Sequence, residues 1–224
     1  MSTIVSSTDA PGASLRITEI FLSLQGEANT VGLPTVFVRL TGCPLRCNYC
    51  DSEYAFSGGS DMSLDEIVAQ VASHKPAYVC VTGGEPLAQK ASLNLLTRLC
   101  DEGYEVSLET SGALDISVVD PRVVKVVDLK TPSSTEQEKN LLDNLSYLDA
   151  ADQLKFVIAD RGDYLWSKQL VSEQQLAQRC EVLFSPVHGA LQARELAQWI
   201  LDDHLQVRFQ LQLHKILWGD EPGR

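Results

Sequence analysis

Short apolar runs alternate with amphipathic segments along most of this 224-residue chain. The runs are short and bounded by turn residues, so they predict strands, and the longer segments between them predict helices. The predicted strands are residues 16–24, 35–41, 78–82, 104–109, 123–129, 154–159, 181–184 and 206–213. The predicted helices are residues 63–73, 90–102, 137–147, 163–179 and 190–203. The first of them opens on Ser63-Leu64-Asp65-Glu66, which has the form of a capping box.

The alternation of strand and helix predicts the fold class. The interior strands, such as residues 123–129, are nearly continuous apolar runs, which is typical of a parallel sheet covered by helices. We therefore predict an α/β fold with mostly parallel strands. A chain of 224 residues fits one domain, which we place at residues 15–224. Residues 1–14 are rich in Ser, Thr, Ala and Gly, and we predict a flexible N-terminus there.

Glycine-rich and polar segments follow five of the predicted strands. They are Gly83-Gly84-Glu85-Pro86, Glu109-Thr110-Ser111-Gly112, Lys130-Thr131-Pro132, Ser185-Pro186-Val187-His188-Gly189 and Gln212-Leu213-His214-Lys215. In barrels and open α/β sheets, ligands bind at the carboxyl ends of the strands, where successive loops converge. We therefore expect these segments to share one pocket.

Composition narrows the classes of function. The chain has 44% hydrophobic and 21% charged residues, as in an ordinary globular protein. Its 18 basic and 30 acidic residues give a net charge of −12, so we expect no nucleic-acid partner. No apolar stretch approaches the roughly 20 residues of a membrane span, and no signal peptide is evident. We therefore expect no membrane partner. The six cysteines do not resemble a disulfide framework, and reduced thiols indicate a reducing compartment, so we expect a cytoplasmic protein.

Three cysteines carry the most specific chemical signal. Cys43, Cys47 and Cys50 form a CxxxCxxC motif, whereas the other three cysteines are scattered among apolar residues. Structural zinc sites take four ligands, and iron–sulfur clusters usually take four thiolates. A cube held by only three thiolates leaves one iron without a protein ligand. The motif therefore indicates a reactive iron centre more than a structural one.

The CxxxCxxC loop after an early strand, followed by Gly83-Gly84-Glu85-Pro86 after the next, resembles the radical S-adenosylmethionine (SAM) superfamily. The resemblance implies that Cys43, Cys47 and Cys50 hold a 4Fe–4S cluster whose open iron chelates SAM. Reductive cleavage of SAM then gives a 5′-deoxyadenosyl radical. A flavodoxin- or ferredoxin-type reductant would supply the electron. The glycines suit a turn whose backbone approaches a ligand closely.

A narrower resemblance covers nearly the whole chain. It rests on the segments Phe21–Glu27, Gly32–Arg39, Cys50-Asp51-Ser52, Glu109–Gly112 and Gln212–Lys215. These are similar to the 7-carboxy-7-deazaguanine synthase family, which makes the core of queuosine-type tRNA bases. The family converts 6-carboxy-5,6,7,8-tetrahydropterin to 7-carboxy-7-deazaguanine with loss of ammonia, and it uses Mg2+. The resemblance implies a truncated radical SAM β/α barrel and a homodimer.

The same resemblance assigns site residues. Those implied to bind the pterin are Leu24, Gln25, Gly26, Arg39 and Thr110. Those implied to bind SAM are Tyr49, Cys50, Asp51, Gly83, Gly84, Glu85, Gly112, Lys130, Thr131 and Ser185. Ser52 is implied to ligate Mg2+, which prefers oxygen. The planar guanidinium of Arg39 suits a substrate carboxylate, since the two can form parallel hydrogen bonds.

Two other functions remain open at this point. A radical SAM activase that places a glycyl radical on a partner protein would share the cysteine loop and the GGEP segment. A zinc-binding module would need a fourth ligand, such as His74 or Asp51. Two segments depart from the family pattern, namely Lys130–Ser133 and Ser185–His188, and the sequence assigns no contact to His188, His214 or the C-terminal tail.

Overall fold

The structure is a computed structural model that describes residues 13–219, 221 and 223. Of the predicted flexible N-terminus, residues 1–12 lie outside the described residues, and Ser14 already belongs to the first strand. Across the described part of the chain, no helix combines the length and apolar character that crossing a membrane requires.

Strands and helices alternate along most of the chain. The strands are β1 (Ser14–Leu24), β2 (Pro34–Leu40), β3 (Ser60–Ser63), β4 (Tyr78–Gly83), β5 (Glu105–Thr110), β6 (Val124–Leu129), β7 (Gln153–Ile158), β8 (Glu181–Pro186) and β9 (Arg208–Phe209). The α-helices are α1 (Leu64–Ser73), α2 (Ser92–Asp101), α3 (Arg161–Glu173), α4 (Ala193–Asp202) and α5 (Leu213–Trp218). Short 3-10 helices lie at Glu53–Phe56, Pro86–Ala88, Pro132–Ser134, Gln137–Lys139, Leu142–Tyr147 and Leu176–Gln178.

Within the described residues, the strands form one sheet in the order β3-β1-β2-β4-β5-β6-β7-β8-β9. Every neighbouring pair from β2 to β9 is parallel. Strand β1 forms antiparallel pairs with β2 and with β3. The predicted α/β fold with mostly parallel strands is therefore confirmed.

The two faces of the sheet have different chemistry. On β7, Leu154, Phe156 and Ile158 are fully buried in the hydrophobic core that also contains side chains of α1 to α4. Lys155 and Val157, between them in sequence, point to the other face and line a cavity. Successive side chains of a strand alternate between faces, so each central strand supplies both layers. The apolar runs in the sequence thus conceal a polar inner face.

The predicted helix at residues 137–147 is wrong. The segment forms only short 3-10 turns, because its polar groups bond to neighbouring loops rather than along a helix. The Asn140 side chain bonds both the backbone N–H and the carbonyl of Lys130, each at 2.9 Å, and Leu141 N donates to the Gly112 carbonyl at 3.0 Å. Amide side chains compete with regular helix in this way.

Two element boundaries also differ from the sequence prediction, and one strand was not predicted. The helix predicted at residues 163–179 runs from Arg161 to Glu173, and Gln175 beyond it has a left-handed backbone with φ of 52°. The strand predicted at residues 206–213 is reduced to the two residues of β9. Strand β3 had no prediction, since its sequence Ser-Asp-Met-Ser lacks an apolar run.

The predicted capping box of α1 is confirmed. Ser63 Oγ accepts a hydrogen bond from Glu66 N at 3.3 Å, and Glu66 Oε2 accepts one from Ser63 N at 2.8 Å. These bonds satisfy backbone donors that have no partner within the helix.

We expect Ser63→Ala to lower the free energy of unfolding by about 1 kcal/mol, because the side-chain cap is lost. Urea denaturation at neutral pH measures the change. Ser73→Ala, at the other end of the same helix, is the matched control, since Ser73 Oγ bonds only the Gln70 carbonyl on the exposed surface. An equal loss in both variants would contradict a specific role for the cap.

Candidate active site

The inner face of the sheet encloses a cavity of about 660 Å³. Most of the predicted site residues line it. They are Leu24, Gln25, Gly26, Arg39, Cys43, Cys47, Tyr49, Cys50, Asp51, Ser52, Gly83, Gly84, Thr110 and Lys130. Four others do not line it, namely Glu85, Gly112, Thr131 and Ser185.

The cavity extends further than the sequence predicted. Its cysteine wall and Gly83 lie at the carboxyl ends of the parallel strands, as expected. Leu24, however, pairs with Pro34 at the start of β2, and Thr35 pairs with Tyr78 at the start of β4. The β1–β2 turn that begins after Leu24 therefore lies where the parallel strands begin. The cavity thus runs through the interior of an incomplete barrel from one end to the other.

The cysteine loop follows β2 directly and brings three free thiols to one cavity wall. Burial raises the pKa of Cys47 to about 11 and also raises the pKa of Cys43 and of Cys50. Without a metal these groups are neutral thiols at neutral pH, and ligation of iron must displace their protons. Among the described residues, the other three cysteines do not line the cavity. The donor set fits a cluster held by three thiolates.

The structure does not support His74 as a fourth metal ligand. His74 follows the last turn of α1 and does not line the cavity. Asp51 lies on the cavity wall, but its carboxylate accepts hydrogen bonds from Ser52 Oγ at 2.7 Å and Gln212 Nε2 at 3.2 Å.

The Gly83-Gly84 turn packs directly against the start of the cysteine loop. Gly83 has φ of +131°, and a Cβ there would overlap the backbone of Leu40. A Cβ at Gly84 would overlap the Gly42 carbonyl, which also accepts a hydrogen bond from Glu85 N at 2.8 Å. Only glycine allows this approach. The turn therefore sets the position of the residues that precede Cys43.

Glu85 is fully buried and does not face the cavity. Its carboxylate accepts hydrogen bonds from Thr110 Oγ1 at 2.9 Å, Ser111 N at 2.7 Å and Leu87 N at 3.0 Å, and also from Ser111 Oγ. The side chain thus joins the end of β4 to the end of β5. It holds Thr110, which does line the cavity.

Arg39 is held rigidly on the cavity wall. Its Nε donates to Glu19 Oε1 at 2.8 Å, and its guanidinium lies 5.9 Å from the Phe21 ring centre and 5.7 Å from that of Tyr54. Burial opposes the charge, but the neighbouring Tyr54 and Glu19 raise the pKa of Arg39 overall. Glu19 was not predicted as a site residue. Glu19 bonds the Nε of Arg39, and among the described residues no hydrogen bond is made by the two terminal nitrogens of Arg39, which can therefore bind a ligand.

A chain of alternating charges crosses the cavity interior, and the sequence analysis missed it. Asp128 Oδ2 lies 3.2 Å from Lys130 Nζ and 3.4 Å from Lys155 Nζ, and Lys155 pairs in turn with Glu27. Desolvation opposes the charge on both lysines, yet Asp128 and Glu27 raise their pKa. Asp128 Oδ1 is buried and has no hydrogen-bond partner among the described residues. In the sequence, this chain of charges is indicated by Asp128, a charged residue inside the apolar strand β6.

Oxygen ligands gather next to Ser52, where Mg2+ binding was predicted. Ligand atoms of Glu27, Asp51 and His214 all lie within 4.8 Å of one another. Gln212 Nε2 bridges the two carboxylates, at 2.9 Å from Glu27 Oε1 and 3.2 Å from Asp51 Oδ2. Carboxylate and hydroxyl oxygens are the donors that Mg2+ prefers, so Glu27, Asp51 and the Ser52 hydroxyl, which lies 2.7 Å from Asp51 Oδ1, fit that ion, whereas the His214 nitrogen does not. Glu27 was not predicted, although it ends the segment Leu24-Gln25-Gly26-Glu27.

The remaining predicted cofactor residues lie behind the cavity wall. Thr131 is fully buried, and its Oγ1 lies 3.0 Å from the Tyr49 hydroxyl, whose pKa burial raises to about 12. Gly112 has φ of +72°, and its carbonyl accepts hydrogen bonds from Asn144 and Leu141. Ser185 is buried with no partner for its Oγ among the described residues.

The next residues on that loop do reach the cavity. Val187 and His188 both line its wall, and the sequence had left His188 without a role. His214 also lines the cavity, beside Gly26.

Comparison with known proteins agrees with this geometry. The Radical SAM superfamily profile matches residues 37–127, which contain the three cysteines and the Gly83-Gly84 turn. Fold and site together define a radical SAM enzyme. The chain is 44% identical over 218 residues to the 7-carboxy-7-deazaguanine synthase of Chlorobaculum tepidum, an alignment that covers 96% of this chain and 98% of the relative. It is 43% identical over 222 residues to that of Koribacter versatilis, covering 92% and 98%. The chain belongs to the 7-carboxy-7-deazaguanine synthase family.

A solved structure has the same fold. The crystal structure of QueE from Escherichia coli matches with a TM-score of 0.75 at 22% identity, and the match covers 90% of this chain and 95% of that one. The predicted truncated radical SAM barrel is confirmed, and so is the family resemblance. Membership of the superfamily implies a 4Fe–4S cluster and SAM as cofactors, and a small-molecule substrate.

We expect Glu85→Gln to lower the free energy of unfolding by about 1–3 kcal/mol. The new amide NH2 would face donors from Thr110 and Ser111 and leave buried groups unpaired. Urea denaturation measures the loss. Glu102→Gln, on the exposed surface after α2, is the matched control and should change stability by less than about 0.5 kcal/mol. If Glu85→Gln were as stable as the control, the proposed joining role of Glu85 would be wrong.

Proposed function

We propose that this chain is a lyase that converts 6-carboxy-5,6,7,8-tetrahydropterin to 7-carboxy-7-deazaguanine, with loss of ammonia, in the biosynthesis of queuosine-type tRNA bases. The family membership supports this function. The observation that carries it in the structure is one cavity shared by the three cysteines, a rigidly held arginine and a group of carboxylates. The cysteines suit a radical-generating cluster, the arginine suits a substrate carboxylate, and the carboxylates suit Mg2+.

The cysteine wall is the proposed cofactor site. Cys43, Cys47 and Cys50 would hold the cluster, and the cluster with SAM, when bound, supplies a carbon-centred radical that removes a hydrogen atom from the substrate. The residues proposed to contact SAM directly are Tyr49, Cys50, Asp51, Gly83, Gly84 and Lys130, all of which line the cavity. Two residues act from behind the wall: Thr131 bonds the Tyr49 hydroxyl, and Glu85 holds Thr110. The predicted SAM contacts of Gly112 and Ser185 stay predictions.

Arg39 is proposed to bind the substrate carboxylate. Its terminal nitrogens can make two parallel hydrogen bonds to a carboxylate, while Glu19 and the flanking rings keep the guanidinium in place. An arginine that is already ordered loses little side-chain entropy on binding. This anchor would fix the substrate carbon next to the carboxylate with respect to the radical.

A second part of the cavity wall is proposed to bind the pterin ring. Leu24, Gln25, Gly26 and Thr110 line it. Glu109 lies between them and accepts hydrogen bonds from Thr82 Oγ1 at 2.8 Å and Gln25 Nε2 at 3.4 Å. A carboxylate in this position can accept hydrogen bonds from the N–H groups on the pyrimidine edge of a pterin. Glu109, to which the sequence analysis assigned no ligand, thus becomes a proposed substrate residue.

Mg2+ is proposed to bind beside the substrate. Ser52 would ligate the ion, as the resemblance implies, and Asp51 and Glu27 supply further oxygen atoms within reach. Mg2+ usually keeps several waters and completes its shell from a substrate. The ion would therefore orient the substrate and stabilise negative charge on it during the rearrangement.

The wider setting of the reaction is also part of the proposal. A flavodoxin- or ferredoxin-type protein would supply the electron, in the cytoplasm.

We propose a homodimer, supported by large apolar side chains exposed around the β1–β2 hairpin and α5, where Leu22 is 44% and Ile216 is 61% exposed. Sedimentation equilibrium of the reconstituted enzyme measures this state.

The decisive test is anaerobic conversion of the pterin by reconstituted enzyme with SAM, reductant and Mg2+. We expect 7-carboxy-7-deazaguanine by mass spectrometry, and no product from Cys47→Ala, because cluster ligation is lost. Cys100→Ala is the matched control and should retain activity, since Cys100 is outside the cavity. Absence of product, despite a full cluster and SAM cleavage, would reject the function and favour a glycyl-radical activase. Zinc without acid-labile sulfide would favour the binding module.

We expect Arg39→Lys to reduce kcat/KM for the pterin about ten- to hundred-fold, since lysine keeps the charge but not the paired hydrogen bonds. The loss corresponds to roughly 1.4–2.8 kcal/mol of binding in the transition state. Iron content and substrate-independent cleavage of SAM should stay unchanged. The matched control is Arg98→Lys, which alters an arginine paired with Asp65 on the surface. An unchanged kcat/KM in Arg39→Lys would remove Arg39 from the substrate site.

A further inference from the structure

The turn that carries the proposed pterin residues contains a backbone conformation that its sequence does not favour. Ala28, just after Gln25, Gly26 and Glu27, has φ of 62°. Left-handed backbone is uncommon for a residue with a Cβ, and such conformations persist only where surrounding contacts impose them. Ala28 is also 2% exposed, so water cannot satisfy its peptide groups.

One side chain satisfies both peptide groups of Ala28. Gln210 Oε1 accepts a hydrogen bond from Ala28 N at 2.9 Å, and Gln210 Nε2 donates to the Ala28 carbonyl at 2.8 Å. A glutamine amide offers one acceptor and two donors in a plane, which matches this pair of groups. Aspartate, glutamate and hydrophobic side chains lack that combination.

Gln210 is itself fixed by the sheet. Its backbone N donates to the Phe184 carbonyl at 2.9 Å, which continues the parallel pairing of β9 on β8. Its side chain is 5% exposed. The contact therefore ties the β1–β2 turn to the far edge strand of the sheet, 182 residues away in sequence.

Neighbouring contacts hold the rest of the turn from the same side. Leu213 N donates to the Gly26 carbonyl at 2.9 Å, and Gln212 Nε2 donates to Glu27 Oε1 at 2.9 Å. The His214 imidazole packs against Gly26 so closely that a Cβ there would overlap it. Each residue from Gly26 to Ala28 is thus bonded to the segment that follows β9.

We propose that Gln210 is a positioning residue for substrate binding. By holding Ala28 in the left-handed conformation, it presents Gln25, Gly26 and Glu27 to the cavity in the geometry that the pterin needs. Gln210 does not line the cavity. The inference rests on the proposed function for its kinetic test, but the contact itself can be tested without turnover.

The kinetic test compares Gln210→Met with Gln89→Met. Gln89 makes a similar double contact with Arg16 on β1, at 2.8 Å and 3.0 Å, and does not line the cavity. Its Nε2 also donates to the Thr41 carbonyl at 3.0 Å, so iron content is measured for this variant too. We expect Gln210→Met to raise KM for the pterin about ten-fold, equivalent to about 1.4 kcal/mol. Iron content and substrate-independent cleavage of SAM should remain unchanged. Gln89→Met should leave KM within about two-fold.

A second substitution separates positioning from general loss of stability. Glycine adopts the left-handed conformation without strain, so Ala28→Gly in the Gln210→Met background should lower KM towards the wild-type value. If Gln210→Met does not fold, Gln210→Asn, one methylene shorter, replaces it in the same comparison. An unchanged KM in the folded variant, or a rise of equal size in Gln89→Met, would overturn the proposal.

Hydrogen–deuterium exchange tests the contact when the wild-type enzyme turns over no pterin. We expect faster exchange at residues 25–29 in Gln210→Met, and no change there in Gln89→Met. Unchanged protection of that turn would overturn the positioning role whatever the activity. Faster exchange with an inactive wild type would instead keep the contact and reject only the proposed substrate.

Discussion

The close approach of two backbones beneath the cysteine loop is the constraint on which the rest of the site depends. Gly83 and Gly84 lie against Leu40 and Gly42 with no space for a side chain. This contact places the end of β4 under the loop that carries the three thiols. It also buries Glu85, whose carboxylate then reaches the end of β5. One packed turn therefore positions both the cysteine loop and Thr110 on the cavity wall.

The incomplete barrel can have a charged interior because its hydrophobic core lies elsewhere. The outer face of the sheet packs with the helices, whereas the cavity on the inner side is lined by Glu27, Asp128, Lys130 and Lys155. Buried charges are tolerated when each has a partner of opposite sign, as these do. One acceptor, Asp128 Oδ1, remains without a partner among the described residues. The charged side chains of the cavity are thus largely paired with one another.

One part of the cavity wall is formed by two segments that are distant in sequence. The β1–β2 turn supplies the cavity-lining groups, and the segment after β9 holds that turn through Gln210, Gln212 and Leu213. Because β9 pairs with β8 at the sheet edge, the two ends of the open sheet are linked through the turn. The shape of this part of the cavity therefore depends on the last elements of the chain as much as on the first.

The sequence by itself determined the features that local patterns encode. The CxxxCxxC loop, the glycine turn after β4, the capping box at Ser63 and most strands follow from spacing and periodicity within short segments. Only the tertiary structure decided that Glu85 bonds Thr110 rather than facing the cavity, that Lys155 meets Glu27, and that Gln210 holds Ala28. These outcomes arise from hydrogen bonds and ion pairs between distant residues. Such pairs depend on strand order and register, which no local pattern of apolar and polar residues specifies.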